Sequence, residues 1–231
     1  MRGLFITFEG IEGSGKSTQV DRLAVRLREH LLPVVTAGEK FNMRITREPG
    51  GTEMGDKIRD LLLDLRSTAL RPKAELFLYL AGRSQHLETV IHPLLAKGTI
   101  ILCDRFSDAT IAYQGFGRGL KQHSDFARVV RYAADGLQPD LTLLLDMDPR
   151  IALARVGKRG AINRLDRETL AFHTRVRRGY RDLADRFPRR IKMINANSPE
   201  DVVTNQIEQL VRPLLSRLSP RTRQPLKAGR H

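Results

Sequence analysis

The sequence predicts an α/β fold, a parallel sheet with helices on both faces, and three observations predict it. First, Gly10-Ile11-Glu12-Gly13-Ser14-Gly15-Lys16-Ser17 fits the phosphate-binding P-loop pattern G-x-x-x-x-G-K-[ST]. It sits where that loop belongs, between the apolar run Leu4-Phe5-Ile6-Thr7-Phe8 and a segment with apolar residues at Val20, Leu23, Ala24, Leu27 and Leu31, which is helical spacing. Second, Thr99-Ile100-Ile101-Leu102-Cys103 and Leu141-Thr142-Leu143-Leu144-Leu145 are continuously apolar, as strands covered on both faces are. Third, strand-type and helix-type segments alternate along the chain with no internal repeat. Together these give a sheet of the P-loop NTPase type.

The elements follow in order. The glycines of the loop let backbone N–H groups turn inward as an anion nest, with Lys16 reaching outer phosphates and Ser17 holding Mg²⁺. The following helix brings its positive end to the same place. Short strands are expected at 33–36 and 43–46, with a turn at 38–40. Arg47-Glu48-Pro49-Gly50-Gly51-Thr52 is a punctuated loop, and Thr52 can cap a helix whose apolar side is Met54, Ile58, Leu61, Leu62 and Leu65. Pro72 opens a helix expected to reach about residue 92, where Pro93 disturbs it. Its start, 74–81, is apolar nearly all round, which predicts burial in the core or in a subunit contact. After the strand at 99–103, Asp104 stands where a carboxylate near Mg²⁺ should, and Arg105 beside it suggests a second anion. The alternative for Asp104 is a helix cap. Helices are expected at 149–156, 166–187 and 199–215, with a last strand at 191–194.

Composition narrows the function classes. Hydrophobic residues are 41% and charged residues 29%, an ordinary globular balance, and no apolar run approaches the roughly eighteen residues of a membrane span. The N-terminus lacks signal-peptide blocks, so a cytoplasmic protein is expected. The single Cys103 has no internal disulfide partner and reads as a small buried thiol. The six histidines show no metal-ligand spacing. Net charge is +14, of which six Lys/Arg fall in the last twenty residues. A basic body suits anionic substrates and leaves nucleic-acid binding as the rival reading. Aromatics are sparse, with no basic stretch interleaved with stacking rings, so nucleic acid is not the expected partner. There is no N-K-x-D sequence, which disfavours a GTPase.

Five segments in order and spacing carry a more specific signal. FEGIEGSGKSTQ, TREPGGT, the pair Tyr79-x-x-x-Arg83, DRFSDATIAYQG and the basic segment 155–164 resemble the thymidylate kinases, over about residues 1–211. The resemblance implies a five-stranded parallel sheet with a mobile lid at about 155–164, a homodimer, and transfer of a phosphoryl group from ATP to dTMP with Mg²⁺. It leaves 212–231 as a basic tail, expected to be disordered.

It also implies residue roles. Gly10, Gly13, Ser14, Gly15, Lys16, Ser17 and Thr18 hold the ATP phosphates, with Ser17 and Asp104 at the metal. Glu12 contacts the acceptor sugar. Arg47, Arg59 and Arg105 surround the dTMP phosphate, which guanidinium can grip with two donors at once. Pro49 follows a cis peptide bond. Tyr79 stacks on thymine and Arg83 donates to its O4; four apart on a helix, they share a face. Thr110 and Gln114 lie near the base, and Tyr113 or Gln114 at the sugar's 2′ edge. Because Gly13 replaces the P-loop arginine of some members, the transition-state charge is assigned to Arg159 in the lid. Three departures bear on this: Phe106 for a usual Tyr, Ala109 for a common Ser, and Asn163 for a common Asp.

Overall fold

A computed structural model describes residues 2–31, 42–158, 160 and 162–218. The strand expected at 33–36, the turn expected at 38–40, Arg159, expected in the lid, and 219–231 lie outside the described residues. Within them, β1 (Phe5–Glu9), β2 (Met43–Arg47), β3 (Ile100–Asp104), β4 (Leu141–Asp146) and β5 (Ile191–Asn195) form one sheet in the order β2-β3-β1-β4-β5. Every pairing is parallel; Phe5 stands beside Ile101 and Ile6 beside Leu141.

The continuous apolar runs behave as two-sided strands. Ile6, Phe8, Ile100 and Leu102 point into one core, with Val20, Leu23, Phe172, Val176, Ile207 and Val211 from the helices. Phe5, Ile101 and Cys103 alternate with them into a second core under Leu87, Ile91 and Phe106. Each such fully buried side chain contributes about 1.5–3 kcal/mol. Cys103 is a free buried thiol, as expected.

The helices are α1 (Lys16–Arg26), α2 (Glu53–Leu63), α3 (Pro72–His86), α4 (His92–Ala96), α5 (Ser107–Thr110), α6 (Phe126–Ala133), α7 (Pro149–Gly157), α8 (Leu170–Arg186) and α9 (Glu200–Leu215). Thr52 caps α2, its hydroxyl accepting from the Gly55 N–H at 2.9 Å. The expected apolar side of α2 is corrected: Leu62 is buried, but Met54 and Leu61 are half exposed. The long helix from Pro72 does not run straight to Pro93. After His86 it widens into a π turn, Leu87–Ile91, and α4 begins beyond it with Pro93 in its first turn. A straight helix would drive the proline ring into the carbonyl four residues back; the wider turn avoids this.

The apolar 74–81 stretch is buried on one side only: Leu76 and Leu80 are in the core, whereas Ala74, Phe77 and Ala81 are exposed. Helix α8 starts later than expected. Residues 163–166 form a closed turn, in which Asn163 Oδ1 accepts from the Leu165 and Asp166 N–H groups and Asp166 accepts from the Asn163 N–H. Thr169 then caps α8. The helical segment 107–117 and α6 had no clear periodic signal. The tail boundary at 212 also moves: α9 continues to Leu215, a 3₁₀ turn follows to Leu218, and Leu215 and Leu218 are buried.

Candidate functional site

The strand order places β1 between β3 and β4, and the loop after β1 therefore opens at the C-terminal edge of the sheet, where open α/β sheets bind ligands. Gly10, Gly13 and Gly15 all have positive φ (142°, 75° and 88°), which wraps the loop inward. Among the described residues no side chain caps α1, which leaves its first N–H groups to an anion. Gly13 has no room for any side chain: a Cβ would lie 2.3 Å from the Ala152 carbonyl oxygen on α7. The loop cannot carry an arginine there.

Two hollows share this loop. The larger, ≈ 330 Å³, lies over the ends of β1, β2 and β3. It brings together Glu12, Lys16, Ser17, Thr18, Arg47, Pro49, Arg59, Tyr79, Arg83, Asp104, Arg105, Thr110, Tyr113 and Gln114, residues the sequence had nominated from five separate segments. The smaller, ≈ 300 Å³, lies on the other side of the loop, between Ser14, Gln19, Arg155, Ser198 and Glu200. Gly13, Gly15 and Thr18 line both. Gly10 lines neither; its carbonyl accepts from Lys16 Nζ at 3.1 Å.

The larger hollow has three chemical zones. At the loop, Ser17 Oγ donates to Asp104 Oδ2 at 2.9 Å, and Asp104 Oδ1 is buried with no hydrogen-bond partner among the described residues. Asp104 is thus no helix cap. Two adjacent hard oxygens, one unsatisfied, fit a magnesium ion that keeps phosphate and water as its other ligands. Lys16 also donates to the Ile11 carbonyl at 2.9 Å; burial, then the Arg105 charge, push its ammonium down to about 8.

The second zone centres on Arg105. Its φ of 73° is in the left-handed region, a strained conformation for a side-chain-bearing residue, costing about 1–3 kcal/mol. The structure holds it from all sides. Its N–H donates to the Phe8 carbonyl at 3.0 Å. Its guanidinium donates to Glu12 Oε1 at 2.9 Å, to the Tyr113 hydroxyl at 3.0 Å and to the Tyr180 hydroxyl at 3.1 Å. Tyr113 in turn donates to Glu12 Oε2 at 2.6 Å. Burial pushes the Glu12 carboxyl up, but Arg105, Lys16 and the Tyr113 hydrogen bond outweigh it, and Glu12 stays below the ordinary carboxylate value. Arg59 anchors to the Pro49 carbonyl at 3.0 Å, and the Glu48–Pro49 peptide is cis. Arg47 pairs loosely with Asp56 at 3.3 Å. Arg47, Arg59 and Arg105 thus all line the hollow that holds Glu12, and Arg105 alone is paired with it.

The third zone is on α3. Tyr79 and Arg83 both line the hollow, as their spacing requires. Arg83 Nε donates to Glu48 Oε2 at 2.8 Å, and its guanidinium lies over the Phe106 ring at 5.1 Å. Arg83 Nη1 and Thr110 Oγ1 are buried without hydrogen-bond partners among the described residues. Gln114 donates to Glu75 at 3.0 Å. Glu75 also accepts from Arg118 and Arg164, so one buried carboxylate ties the end of the expected lid segment, residue 164, to α3.

Several residues here escaped sequence reading. Glu9 ends β1, accepting from the Phe106 N–H and the Tyr180 hydroxyl; burial, then Asp108, push its carboxyl up to about 8. Tyr180 and His173 lie in the buried stripe of α8, and a Tyr and a His in the apolar stripe of an arginine-rich helix were the available signal. Glu48 sat unread inside the TREPGGT segment. The departures fit locally: Phe106 packs edge-on against Phe5 at 5.0 Å, and Asn163 supplies the turn acceptor that an Asp would.

A sequence model of the family described as thymidylate kinase matches residues 8–207. A thymidylate kinase of Desulfovibrio desulfuricans is 46% identical over 222 residues, covering 93% of this chain and 97% of that protein. One from Pseudomonas putida (strain GB-1) is 44% identical, covering 94% and 99%, and one from Clostridium novyi is 41% identical, covering 90% and 97%.

Proposed function

The chain belongs to the thymidylate kinase family, and from that premise we propose how its two hollows divide the reaction. The enzyme transfers the γ-phosphoryl group of ATP to dTMP, giving dTDP and ADP for dTTP synthesis. The observation that carries the assignment of parts is the shared wall: one P-loop serves a hollow on either side. The smaller hollow takes the adenosine end of ATP, with Arg155 at its edge. The triphosphate follows the loop, held by the N–H groups of Gly13 to Thr18 and by Lys16. The larger hollow takes dTMP.

In that hollow Arg47, Arg59 and Arg105 grip the acceptor phosphate and aim one of its oxygens at the γ-phosphorus. The new O–P bond forms as the bond to the β–γ bridging oxygen breaks, with no covalent enzyme intermediate. Glu12, held ionised by Arg105, meets the sugar 3′-hydroxyl. Tyr79 stacks on thymine, and the free Nη1 of Arg83 donates to O4. The free Thr110 hydroxyl accepts from the N3–H. A 4-amino group would leave Arg83 unpaired, which rejects cytosine. Ser17 and Asp104 would hold Mg²⁺, which when bound neutralises phosphate charge. Arg159 supplies the cation that Gly13 cannot. The lid at 155–164 closes over ATP and excludes water.

We also propose a homodimer, because Met54, Leu61 and Phe77 expose apolar side chains on α2 and α3, which pack together. The cytoplasm, where nucleotide pools are held, is the proposed location. Among the described residues no helix is long and apolar enough to cross a membrane. A coupled ADP-release assay across dTMP, dUMP, UMP, CMP, AMP and GMP tests the acceptor assignment. Fastest turnover with dTMP supports it; turnover only with AMP, or only on adding DNA or RNA, overturns it.

A further inference from the structure

His86 is fully buried three residues beyond Arg83, and the reaction as described gives it no task. Its surroundings are built around it. The ring Nδ1 lies 3.1 Å from Glu48 Oε1, and Nε2 lies 2.7 Å from Thr46 Oγ1. Both partners come from the TREPGGT segment. So does Gly51, with φ of 80°, where a Cβ would lie 2.6 Å from both His86 Nε2 and Thr46 Oγ1. The loop closes on the imidazole, and the second glycine of the pair is the residue that permits it.

The proton positions follow from the partners. Burial pushes the Glu48 carboxyl up, but Arg83 and His86 outweigh it, so Glu48 is an anion and can only accept. Hence His86 Nδ1 carries a proton and donates to Oε1, while Arg83 Nε donates to Oε2. Glu48 is therefore clamped on both oxygens. With Nε taken by Glu48 and its face on Phe106, the Arg83 guanidinium has one orientation, and its Nη1 is buried without a hydrogen-bond partner among the described residues. The Glu48 N–H is itself fixed to the Asp104 carbonyl at 2.9 Å.

We propose that His86 is a positioning residue for base selection: by holding Glu48 it orients Arg83 toward a 4-oxo pyrimidine and makes the phosphate-gripping loop and the base-reading helix one rigid unit. This rests on the reading that Arg83 meets the base. His86→Leu removes the clamp, His86→Asn keeps a donor for Glu48, and Arg83→Met removes the base contact itself. The probes are dTMP as substrate and 5-methyl-dCMP, in which a 4-amino group replaces the 4-oxo group and N3 loses its proton, as competitive inhibitor.

For His86→Leu the KM for dTMP should rise at least about tenfold with kcat within about threefold, and the ratio of the 5-methyl-dCMP inhibition constant to the dTMP KM should fall at least about fivefold. His86→Asn should restore both values to within about threefold of wild type. If His86→Leu does not fold, His86→Gln, which keeps a group near Thr46 but loses Glu48, must move both values in the same direction. The inference is overturned if His86→Leu (or its Gln substitute) leaves both within about twofold of wild type while Arg83→Met changes them, or if His86→Asn is as impaired as His86→Leu. Should Arg83→Met leave the ratio unchanged, the base-reading assignment itself fails, and this inference with it.

Discussion

Replacing Glu75 with glutamine tests how strongly the buried network supports the acceptor site. Glu75 is 1% exposed and accepts four hydrogen bonds: from Gln114 at 3.0 Å, from Arg118 at 3.1 and 3.0 Å, and from Arg164 at 2.7 Å. Glutamine keeps the shape but turns one acceptor into a donor that faces guanidinium donors. Removing one partner of a buried ion pair costs about 3–5 kcal/mol. Here the lower end applies, because Arg118 keeps Glu168 and Arg164 keeps the Leu62 carbonyl. About 3 kcal/mol lowers Tm by about 6–12 °C in a chain of this size.

The pH dependence has a definite sign. Burial pushes the Glu75 carboxyl up, but its Arg118, Gln114 and Arg164 partners win, so its folded pKa is lowered. Its stabilisation is therefore present above the ordinary carboxylate pKa and is lost as pH falls through the lowered folded value. Thermal scans of wild type and Glu75→Gln from pH 7 down to the acid limit should show the widest gap near neutrality, narrowing below about pH 4. The KM for dTMP should rise more than that for ATP, since the proposed reading puts Gln114 and Tyr79 beside the base. A Tm change under about 2 °C, or a gap that stays constant into acid, would refute the reasoning.

Three further outcomes are expected. Arg159→Ala lowers kcat at least about tenfold while dTMP affinity changes little; near-normal turnover in steady-state assays removes Arg159 from the transition state. Glu9, pushed up to about 8 by burial and then Asp108, costs stability as pH rises from its unfolded value through about 8, because only the unfolded state sheds the proton early. Glu9→Gln should therefore gain in Tm relative to wild type between pH 6 and pH 9, and a pH-independent difference contradicts this. Ending the chain after Leu218 should leave kcat/KM within about twofold, whereas ending it before Arg212 removes the buried Leu215 and Leu218 and should lower Tm by more than about 10 °C.

Local chemistry made much of this molecule legible from its sequence. The P-loop declares itself because glycine, lysine and serine must stand at fixed intervals to wrap a phosphate. The apolar runs at 99–103 and 141–145 read directly as buried strands; Ile100 and Leu102 alternate with Ile101 and Cys103 between two cores, whereas Leu141, Leu143, Leu144 and Leu145 all belong to the first. What was hidden depends on distance in sequence. Glu48, His86 and Thr46 form one cluster only after β2 and α3 meet, and nothing in the spacing of a lone histidine on α3 announces its partners. Glu75 meets Arg118 and Arg164 only across the fold, so its spacing on α3 does not announce them. The 74–81 stretch shows the same limit: an apolar helix shows that its faces need covering, and not which side the core covers, here Leu76 and Leu80 but not Phe77.

The central claim is that Arg105, held strained between Glu12, Tyr113 and Tyr180, grips the phosphate of the acceptor nucleotide. Calorimetric titration of dTMP and of thymidine into wild type and Arg105→Met measures it most directly. The phosphate should make dTMP bind at least about a hundredfold more tightly than thymidine to wild type, and Arg105→Met should shrink that ratio at least about tenfold while thymidine affinity changes less than about threefold. An unchanged dTMP-to-thymidine ratio in the variant would contradict the account.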